Sequence, residues 1–371
     1  MVALDRLRAD QEWMDRALRL AVTGLGLTSP NPLVGAVLVQ AGVVVGEGAH
    51  RRAGGPHAEA IALAEAGPAA RGATLYVTLE PCAHHGRTPP CADALVAAGV
   101  ARVVVACGDP NPLVDGRGLR RLRAAGIAVE VGLRANEARA LNRAFFCRVT
   151  RGRPHVTLKS ALTLDGKIAA ADGTSRWITG EAARREAHRM RFAADAILVG
   201  IGTVLADDPQ LTVRHPELSG KEPLRVVADS RLRIPLEARV LAVGDPARTV
   251  VACRAPAPPE AAAALSGRGA TILELPADEG RVDLRALLRA LAEREVVAVL
   301  AEGGAELAAA LLDTALVDRV AFFLAPRLLG GRTAPGPVGG GGRPLKAAVS
   351  LVDMTSRWVG EDLLVEGDVA A

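Results

Sequence analysis

Short runs of β-branched and aliphatic residues alternate with helical segments along almost the whole chain. Two apolar runs flank a Gln-Ala-Gly turn between residues 34 and 50, which predicts a β-hairpin. From His57 to Gly108 the pattern is helix, strand, helix and strand, and residues 117–149 continue it as helix, strand and one more helix. This alternation predicts a compact α/β unit of about 150 residues.

A change in composition near residue 150 predicts a domain boundary. A basic segment that contains Gly152 and Pro154 leads into a new strand pattern, after which strands and helices alternate again. The chain has 371 residues, more than one ordinary hydrophobic core accommodates. We therefore expect two α/β domains, residues 1–150 and 151–371.

The composition argues against several classes of protein. Half of the residues are hydrophobic but only 2% are aromatic, so the chain lacks the aromatic basic surface of a typical single-strand nucleic-acid binder. The formal net charge is only +4, and no strong basic tract is present. The N-terminal segment has the pattern of a charged amphipathic helix rather than a signal peptide, and no apolar run reaches membrane-spanning length. These features predict a cytoplasmic protein with no nucleic-acid or membrane partner.

Five cysteines, an odd number, occur in a long chain without a recognisable secretion signal. This count favours a reducing compartment, where thiols are more often buried or bound to metal than paired in disulfides. A disulfide between Cys82 and Cys91 is therefore disfavoured, and both thiols become candidates for metal binding.

Three residues with metal-binding side chains stand at the ends of successive elements. His57 opens a helix, Cys82 follows a strand, and Cys91 opens the next helix. Structural zinc sites usually have four protein ligands in closely spaced pairs, whereas three ligands leave a position open for water. Zinc lowers the pKa of such a water from ~15.7 to roughly 7. The pattern favours a catalytic zinc site; the alternative is that the three are unrelated core or surface residues.

The residues around these ligands indicate the reaction class. Glu59 lies two positions after His57, and Pro81 directly precedes Cys82. His-x-Glu followed by Pro-Cys is typical of zinc deaminases, in which the glutamate transfers protons and does not bind the metal. Those enzymes usually have two residues between the cysteines, whereas this chain has eight. His84 and His85 lie in that insertion; we place them on the substrate side, with His84 the better candidate, because a fourth ligand would close the site.

Longer segments resemble one enzyme family. "SPNPLVGAVLV", "PHAEAIAL", "LEPCAHHGRTPPCADAL" and "DPNPLVDGRG" look like the deaminase half of the bifunctional riboflavin-biosynthesis deaminase–reductases, in which eight residues also separate the cysteines. "HVTLKSALTLDGKIA", "SRWITGEAAR", "DAILVGIGTVLADDPQLTVR" and "AEGGAELA" look like the reductase half. The resemblance implies a cytidine-deaminase-like α/β/α domain followed by a dihydrofolate-reductase-like α/β domain.

The resemblance also implies two consecutive reactions on small phosphorylated pyrimidines. In the first, zinc-bound hydroxide would attack C2 of 2,5-diamino-6-(5-phosphoribosylamino)pyrimidin-4-one, and Glu59 would transfer a proton to the departing amine. The residues that would hold this substrate are Asn31, His50, His84 and Arg87. In the second, NADPH would deliver a hydride to C1′ of the ribosyl group of 5-amino-6-(5-phosphoribosylamino)uracil, which opens to a ribityl chain.

Site residues of the second half are likewise implied by the resemblance. The NADPH contacts would be Ala161, Trp177, Thr203, Asp207, Ser230, Gly304, Ala305 and Glu306. The substrate contacts would be Ser175, Arg191, Leu211, Arg214 and Glu302. Two observations on the residues agree: the glycines of "AEGGAELA" lie between a strand and a helix, where backbone N–H groups bind phosphate, and arginines suit a phosphate clamp. Asp207 is our first candidate for the proton donor, and Glu302 the second.

Two other interpretations stay open from the sequence. One is a deaminase of free or nucleic-acid bases with a regulatory or binding domain attached, and the other is a non-catalytic, zinc-stabilised module that binds nucleotides. Glu59 distinguishes the last of these, because a structural zinc site does not need that carboxylate. We also expect a homo-oligomer, but the sequence does not give the number of subunits.

Overall fold

The fold comes from a computed structural model that describes residues 2–83 and 90–370. The chain forms two compact units, Met1–Gly152 and Arg153–Ala371. Both are mixed α/β structures, which confirms the predicted fold class. Within the described ranges, no helix is both long and apolar enough to cross a membrane.

The first unit is a single sheet with helices on both faces. The strands run in the order β2-β1-β3-β4-β5, with β1 antiparallel to both neighbours and β3, β4 and β5 parallel. The strands are β1 Gly35–Gln40, β2 Val43–Ala49, β3 Thr74–Val77, β4 Arg102–Val105 and β5 Ala128–Val131. The helices are α1 Val2–Val22, α2 Ala58–Ala66, α3 Cys91–Ala98, α4 Arg117–Ala124, α5 Ala135–Leu141 and α6 Arg143–Arg151, and a short 3-10 turn spans Gly67–Ala70.

Alternate residues of these strands enter two separate cores. One core packs the sheet against α2, α3 and α4 and includes Ala62, Leu75, Leu95 and Leu122. The other packs the opposite face against α1, α5 and α6. Because successive strand side chains point to opposite faces, one apolar run serves both cores. The result is the α/β/α layering expected for the first half.

Two glycines of β2 allow α2 to lie directly on the sheet. A Cβ at Gly46 would come within 2.2 Å of the carbonyl oxygen of Ala62, and a Cβ at Gly48 would come equally close to that of Ala58. No side chain fits in such a gap, so glycine is required at both positions. This close contact fixes the first turn of α2, where Glu59 lies.

The segment 136–149 differs from its prediction as one helix. The structure ends α5 at Leu141 and begins α6 at Arg143, with Asn142 between them. Asn142 is buried, and its side chain both accepts a hydrogen bond from the Leu33 N–H and donates one to the Leu33 carbonyl. These bonds join residues 109 positions apart, which local helical periodicity does not reveal.

The second unit has a long, mostly parallel sheet. Its order is β10-β9-β8-β7-β13-β6-β14-β16-β15, in which the β14–β16 and β16–β15 pairs are antiparallel and the other pairs are parallel. The strands of this sheet are β6 His155–Thr163, β7 Ala196–Gly200, β8 Leu224–Ala228, β9 Thr249–Arg254, β10 Thr271–Leu275, β13 Ala298–Ala301, β14 Arg319–Ala325, β15 Leu351–Val359 and β16 Asp362–Val369. A separate small hairpin consists of β11 Ala277–Asp278 and β12 Arg281–Val282.

Helices cover both faces of this second sheet. They are α7 Glu181–Ala193, α8 Ile201–Asp207, α9 Arg239–Ala242, α10 Pro259–Gly267, α11 Leu284–Glu293 and α12 Ala305–Asp313, with 3-10 turns at Pro246–Arg248 and Leu345–Ala347. One core packs the sheet against α11 and α12, and another packs its opposite face against α8, α9 and α10. The carboxyl ends of β7, β8 and β13 lie at one edge of the parallel sheet, where ligands of such folds usually bind.

Candidate active sites

The three predicted metal ligands of the first unit lie together. His57 immediately precedes α2, Cys82 follows β3, and Cys91 is the first residue of α3. The Nδ1 atom of His57 lies 3.2 Å from the Cys91 sulfur and 3.6 Å from the Cys82 sulfur. The three ligand atoms all lie within 4.8 Å of one another.

This donor set fits a zinc ion. A tetrahedral zinc with bonds of about 2.3 Å to sulfur and about 2.0 Å to nitrogen holds its ligand atoms roughly 3.6 Å apart. The His57–sulfur separations of 3.2 and 3.6 Å are close to this value. One imidazole and two thiols also match the His-Cys-Cys ligand set of the zinc deaminases.

The protonation of the three ligands is coupled. The hydrogen bond between the two thiols lowers the pKa of Cys82 and raises the pKa of Cys91. The hydrogen bond to Cys82 raises the pKa of His57. A metal ion binding here would displace these protons, as is general for thiolate and imidazole ligands.

Glu59 lies beside this cluster in the first turn of α2. Only 4% of the surface of Glu59 is exposed to solvent. Burial raises the pKa of its carboxyl to about 7, and the nearby Cys82 acts in the same direction. A group with a pKa near neutrality can both accept and release a proton at that pH, which is the property a general acid–base needs.

A cavity of about 180 Å³ opens onto the cluster and Glu59. Asn31 and His50 line it, and Asn31 Nδ2 lies 3.1 Å from His50 Nε2. His50 Nδ1 lies 2.9 Å from the Pro56 carbonyl oxygen, which can only accept, so the ring hydrogen is assigned to Nδ1. His50 Nε2 then accepts from the Asn31 amide, and this bond orients the amide at the cavity wall.

Two predicted substrate ligands of this site, His84 and Arg87, lie outside the described residues, as does His85. The described part of the cavity wall comes partly from the loop after β4, through Asp109, Asn111 and Val114. None of these three residues was predicted from the sequence as part of the site.

Glu80 is a buried residue whose role the sequence did not reveal. Its two carboxylate oxygens accept hydrogen bonds from the backbone N–H groups of Gly116 and Gly118, each at 3.0 Å. Longer contacts of 3.4 Å come from the N–H groups of Asp109 and Leu119. A Cβ at Gly118 would lie 1.9 Å from the Pro81 carbonyl oxygen. Glu80 therefore holds the 109–119 wall of the cavity against the loop that carries Cys82.

We expect Glu80→Gln to destabilise the first unit by about 2 kcal/mol, because an amide replaces one acceptor oxygen with a group that cannot accept from a backbone N–H. Chemical denaturation of the full chain, followed by a probe in the first unit, measures the change. Glu12→Gln, at an exposed glutamate of α1, is the control and should leave stability unchanged. Equal stability of the two variants would show that the Glu80 bonds do not hold the wall.

A cleft of about 590 Å³ in the second unit brings together most of the residues assigned to it. We call it the Glu302 cleft. The predicted residues that line it are Ala161, Ser175, Trp177, Arg191, Thr203, Asp207, Leu211, Arg214, Glu302 and Gly304. Lys159 and Arg239 also line it, although the sequence did not single them out as site residues.

Arg191 and Glu302 form a buried ion pair in this cleft. Arg191 Nε and one terminal nitrogen bind the two Glu302 oxygens at 2.6 and 2.9 Å, and Lys159 Nζ lies 3.6 Å from the same carboxylate. Burial alone would raise the pKa of Glu302, but Arg191 and Lys159 outweigh it and hold the pKa at about 2. Glu302 is therefore ionised at neutral pH, and the proposed proton-donor role does not fit it.

Arg214 has a different environment from Arg191. It is exposed, and one terminal nitrogen binds the side chains of Gln210 and Thr212 at 3.0 and 2.7 Å. Partial desolvation of its guanidinium and the neighbouring cations Arg191 and Arg239 lower its pKa. Since Glu302 is already paired with Arg191, an anionic ligand here would relieve the repulsion among these cations.

His188 of α7 lies beside this cation cluster and was also missed by sequence reasoning. Its Nδ1 accepts a hydrogen bond from the Arg214 N–H at 3.2 Å. Burial and the nearby Arg191 lower its pKa to about 4, so the ring is neutral at neutral pH. It helps to hold the backbone of Arg214 without adding charge.

Asp207 stays the better candidate for the proton donor. It is the last residue of α8 and lines the Glu302 cleft. The hydroxyl of Ser175 donates to its carboxylate at 3.1 Å, and Arg176 donates to its backbone carbonyl. Because both Ser175 and Asp207 line the same cleft, the two predicted residues are adjacent in space.

The Gly303–Gly304 turn leads from β13 into α12. Gly304 precedes the helix, and its N–H donates to the Thr203 hydroxyl at 3.1 Å. A Cβ at Gly303 would approach Leu307 to 2.6 Å, so this position requires a glycine unless Leu307 moves. The turn thus places backbone N–H groups at a helix N-terminus beside the Glu302 cleft.

Ser230 and Glu306 line a second cavity instead, which we call the Ser230 cavity. It has a volume of about 470 Å³ and lies at the carboxyl ends of β7 and β8, against the first turn of α12. Ala305 begins α12 and lines neither cavity. The predicted NADPH contacts are therefore divided between two cavities, the Glu302 cleft and the Ser230 cavity.

The fold and the first site define a zinc-binding deaminase domain followed by a second α/β domain of the reductase type. Residues 7–107 match the family model of the cytidine and deoxycytidylate deaminase zinc-binding region. Residues 154–365 match the model of the RibD C-terminal domain.

Full-length relatives have the same two parts. The riboflavin biosynthesis protein RibD of Actinobacillus pleuropneumoniae is 44% identical over 96% of this chain and 94% of its own length. The structure of Acinetobacter baumannii RibD is 41% identical, with a TM-score of 0.87 over 98% of this chain and 100% of that chain. A Thermotoga maritima structure, described as a diaminohydroxyphosphoribosylaminopyrimidine deaminase/5-amino-6-(5-phosphoribosylamino)uracil reductase, is 37% identical, with a TM-score of 0.85 over 98% and 100% of the two chains.

The chain belongs to the RibD family of bifunctional deaminase–reductases of riboflavin biosynthesis. The resemblance found in the sequence is confirmed, and so is the expectation of an enzyme with deaminase and reductase domains.

Proposed function

We propose that the first unit deaminates 2,5-diamino-6-(5-phosphoribosylamino)pyrimidin-4-one. The product, 5-amino-6-(5-phosphoribosylamino)uracil, is then reduced to its ribityl form by NADPH in the second unit. The observation that carries the proposal is the His57–Cys82–Cys91 cluster beside a buried glutamate in a small cavity. The activities printed for the Thermotoga maritima relative support this choice of substrates.

Zinc held by His57, Cys82 and Cys91 would supply an activated water at neutral pH. Glu59 would take a proton from the attacking water and pass it to the amine that leaves C2 as ammonia. Its burial supports this role, because a carboxyl with a pKa near 7 exchanges protons in both directions at neutral pH. In this proposal Glu59 transfers protons and does not bind the zinc.

Asn31 would hold the pyrimidine ring through its amide, which the neutral His50 orients. His50 stays neutral because burial lowers its pKa. His84 and Arg87 would complete the substrate contacts; for them the proposal rests on the family resemblance. A cavity of about 180 Å³ suits the ring, and the phosphoribosyl group would extend away from it.

In the Glu302 cleft, Arg214 would bind the substrate phosphate, and Arg191 would contribute chiefly by holding Glu302. The substrate contacts Ser175 and Leu211 line the same space. NADPH would enter this cleft along Ala161, Trp177 and Thr203, with its phosphates at the Gly303–Gly304 turn. Asp207 would donate the proton to the ribose ring oxygen as the ring opens.

The remaining parts of the proposal concern the whole chain. Residues 1–150 would form the deaminase domain and residues 151–371 the NADPH-dependent reductase domain. We propose a cytoplasmic location, supported by the need to keep the zinc ligands Cys82 and Cys91 reduced. We also propose a homo-oligomer, which measurement of the solution mass tests.

The proposal is tested with purified, zinc-loaded protein and the diaminopyrimidinone phosphate, with and without NADPH. We expect ammonia release in both cases and loss of the near-ultraviolet absorbance of NADPH only after ammonia is formed. Absence of both signals would reject the proposal. Ammonia without NADPH oxidation would reject its second half alone.

Removal of zinc should separate the two activities. A chelator that strips the metal is expected to abolish ammonia release, because the cluster then holds protons in place of the ion. NADPH oxidation should continue when the deaminated substrate is supplied directly, since the metal ligands all lie in the first unit. Metal analysis and recovery by added zinc, but not magnesium, are the controls. Unchanged ammonia release in metal-free protein would contradict the zinc assignment.

A further inference from the structure

The Ser230 cavity has the shape and chemistry of a subsite for one end of a dinucleotide. Its apolar lining can contact a flat base, and the residues that supply it are Ile201, Val282, Leu284, Leu307 and Ala310. Three arginines lie at its edge: Arg231, Arg233 and Arg281. All three are exposed, so their charged groups face the solvent side of the cavity.

The position of the Ser230 cavity relative to the Glu302 cleft indicates which end of the dinucleotide it would bind. Our proposed function places the hydride transfer in the Glu302 cleft and the phosphates at the Gly303–Gly304 turn. A dinucleotide whose nicotinamide lies in that cleft must extend past the turn. Gly200, Gly202 and Glu306 border the Ser230 cavity at this point. The adenosine end would therefore enter the Ser230 cavity.

The arginines at the cavity edge make only long contacts with acidic side chains. Arg233 Nε lies 3.5 Å from the buried Asp229, which also accepts a hydrogen bond from the Ile234 N–H. Arg281 lies 3.7 Å from the exposed Glu306, a distance longer than a normal hydrogen bond. Arg231 has no ion pair within the described part of the chain. Two of the three guanidinium groups can therefore turn toward an anion.

We propose that Arg231 and Arg281 bind the 2′-phosphate of the adenosine and so make the second unit select NADPH over NADH. The 2′-phosphate is the only group by which the two cofactors differ, and arginines near the adenosine ribose bind it in other dinucleotide sites. Guanidinium groups form paired, charge-assisted hydrogen bonds with phosphate. Arg233 adds positive charge, but its contact with Asp229 fixes it to the loop after β8. This inference rests on the proposed NADPH-dependent reduction.

The test is direct binding of NADP⁺ and NAD⁺ to the zinc-loaded full chain by calorimetry, with the variant Arg231→Ala/Arg281→Ala. Hydrogen bonds to a charged group contribute enough that each arginine should change affinity about tenfold, so the double variant should bind NADP⁺ roughly 100-fold more weakly. Its affinity for NAD⁺ should change less than about twofold, because the base and pyrophosphate contacts remain. The fragments 2′,5′-ADP and 5′-AMP should show the same difference without the nicotinamide half.

Arg268→Ala/Arg289→Ala is the matched control. Both arginines are exposed, lie in the second unit and line neither cavity, and the pair removes the same charge. This control should bind NADP⁺ like the original chain, and thermal unfolding confirms that both double variants are folded. Arg231→Lys/Arg281→Lys keeps the charge but not the paired geometry and should recover part of the preference.

Three outcomes decide between the inference and the function on which it rests. Equal NADP⁺ affinity of the original chain and the alanine variant overturns the inference but leaves the proposed reduction intact. Equal binding of NAD⁺ and NADP⁺ by the original chain overturns the inference in the same way. Failure of the original chain to bind either cofactor rejects the NADPH-dependent function itself.

Discussion

Replacing Glu59 by glutamine is expected to abolish ammonia release while the protein keeps its zinc. General acid–base catalysis contributes about 10²- to 10⁴-fold, and an amide cannot carry the proton between the water and the departing amine. The fold should survive, because glutamine has nearly the same shape and burial already favours an uncharged group at this position. Ammonia production at saturating substrate measures the loss, and metal analysis measures the zinc.

Glu65→Gln is the matched control, because Glu65 lies on the same helix but is exposed. It should retain ammonia release. Retained activity in Glu59→Gln would remove Glu59 from the mechanism. A Glu59→Gln protein that loses its zinc would instead indicate that Glu59 maintains the metal site. NADPH oxidation with the deaminated substrate should be unaffected by either change.

Replacing Arg191 by alanine is expected to stop NADPH oxidation and to destabilise the second unit. The substitution leaves the Glu302 carboxylate, whose side chain is only 9% exposed, with Lys159 at 3.6 Å as its remaining cation among the described residues. Breaking a buried ion pair from one side typically costs about 3–5 kcal/mol. Chemical denaturation should show this loss in the second unit, and ammonia release in the first unit should remain.

The double variant Arg191→Ala/Glu302→Ala separates the two roles of the pair. Removing both charges should restore part of the stability, because no buried charge is then left without its partner. NADPH oxidation should not return, since Glu302 lines the cleft. If Arg191→Ala alone is as stable as the original chain, the Arg191–Glu302 ion pair does not stabilise the second unit. If it keeps a normal Michaelis constant and turnover, Arg191 plays no part in the site.

The folding pattern and the metal cluster could be predicted because their signals are local. A glycine-containing turn between two apolar runs predicted the β1–β2 hairpin, which the structure confirms. His57, Cys82 and Cys91 could be grouped because each stands at the end of an element on the same face of the first unit. Such positions meet regularly at the edge of an α/β sheet.

Contacts between distant residues could not be predicted in this way. The break at Asn142 depends on its bonds with Leu33, and the role of Glu80 depends on backbone N–H groups more than 28 residues away. Backbone donors leave no distinctive signature in a sequence, because almost every residue has one. The pairing of Arg191 with Glu302 likewise joins residues 111 positions apart.

The sequence by itself determined the two α/β halves, the family and the residues able to bind zinc, since composition, periodicity and short motifs encode these directly. The tertiary structure decided the pKa values of the acidic residues in the two sites. It buries Glu59 until its pKa is near neutrality, and it surrounds Glu302 with cations until its pKa is about 2. Two glutamates with the same intrinsic chemistry thereby differ in how readily they hold a proton, because desolvation favours the neutral carboxyl and a neighbouring guanidinium favours the ionised one.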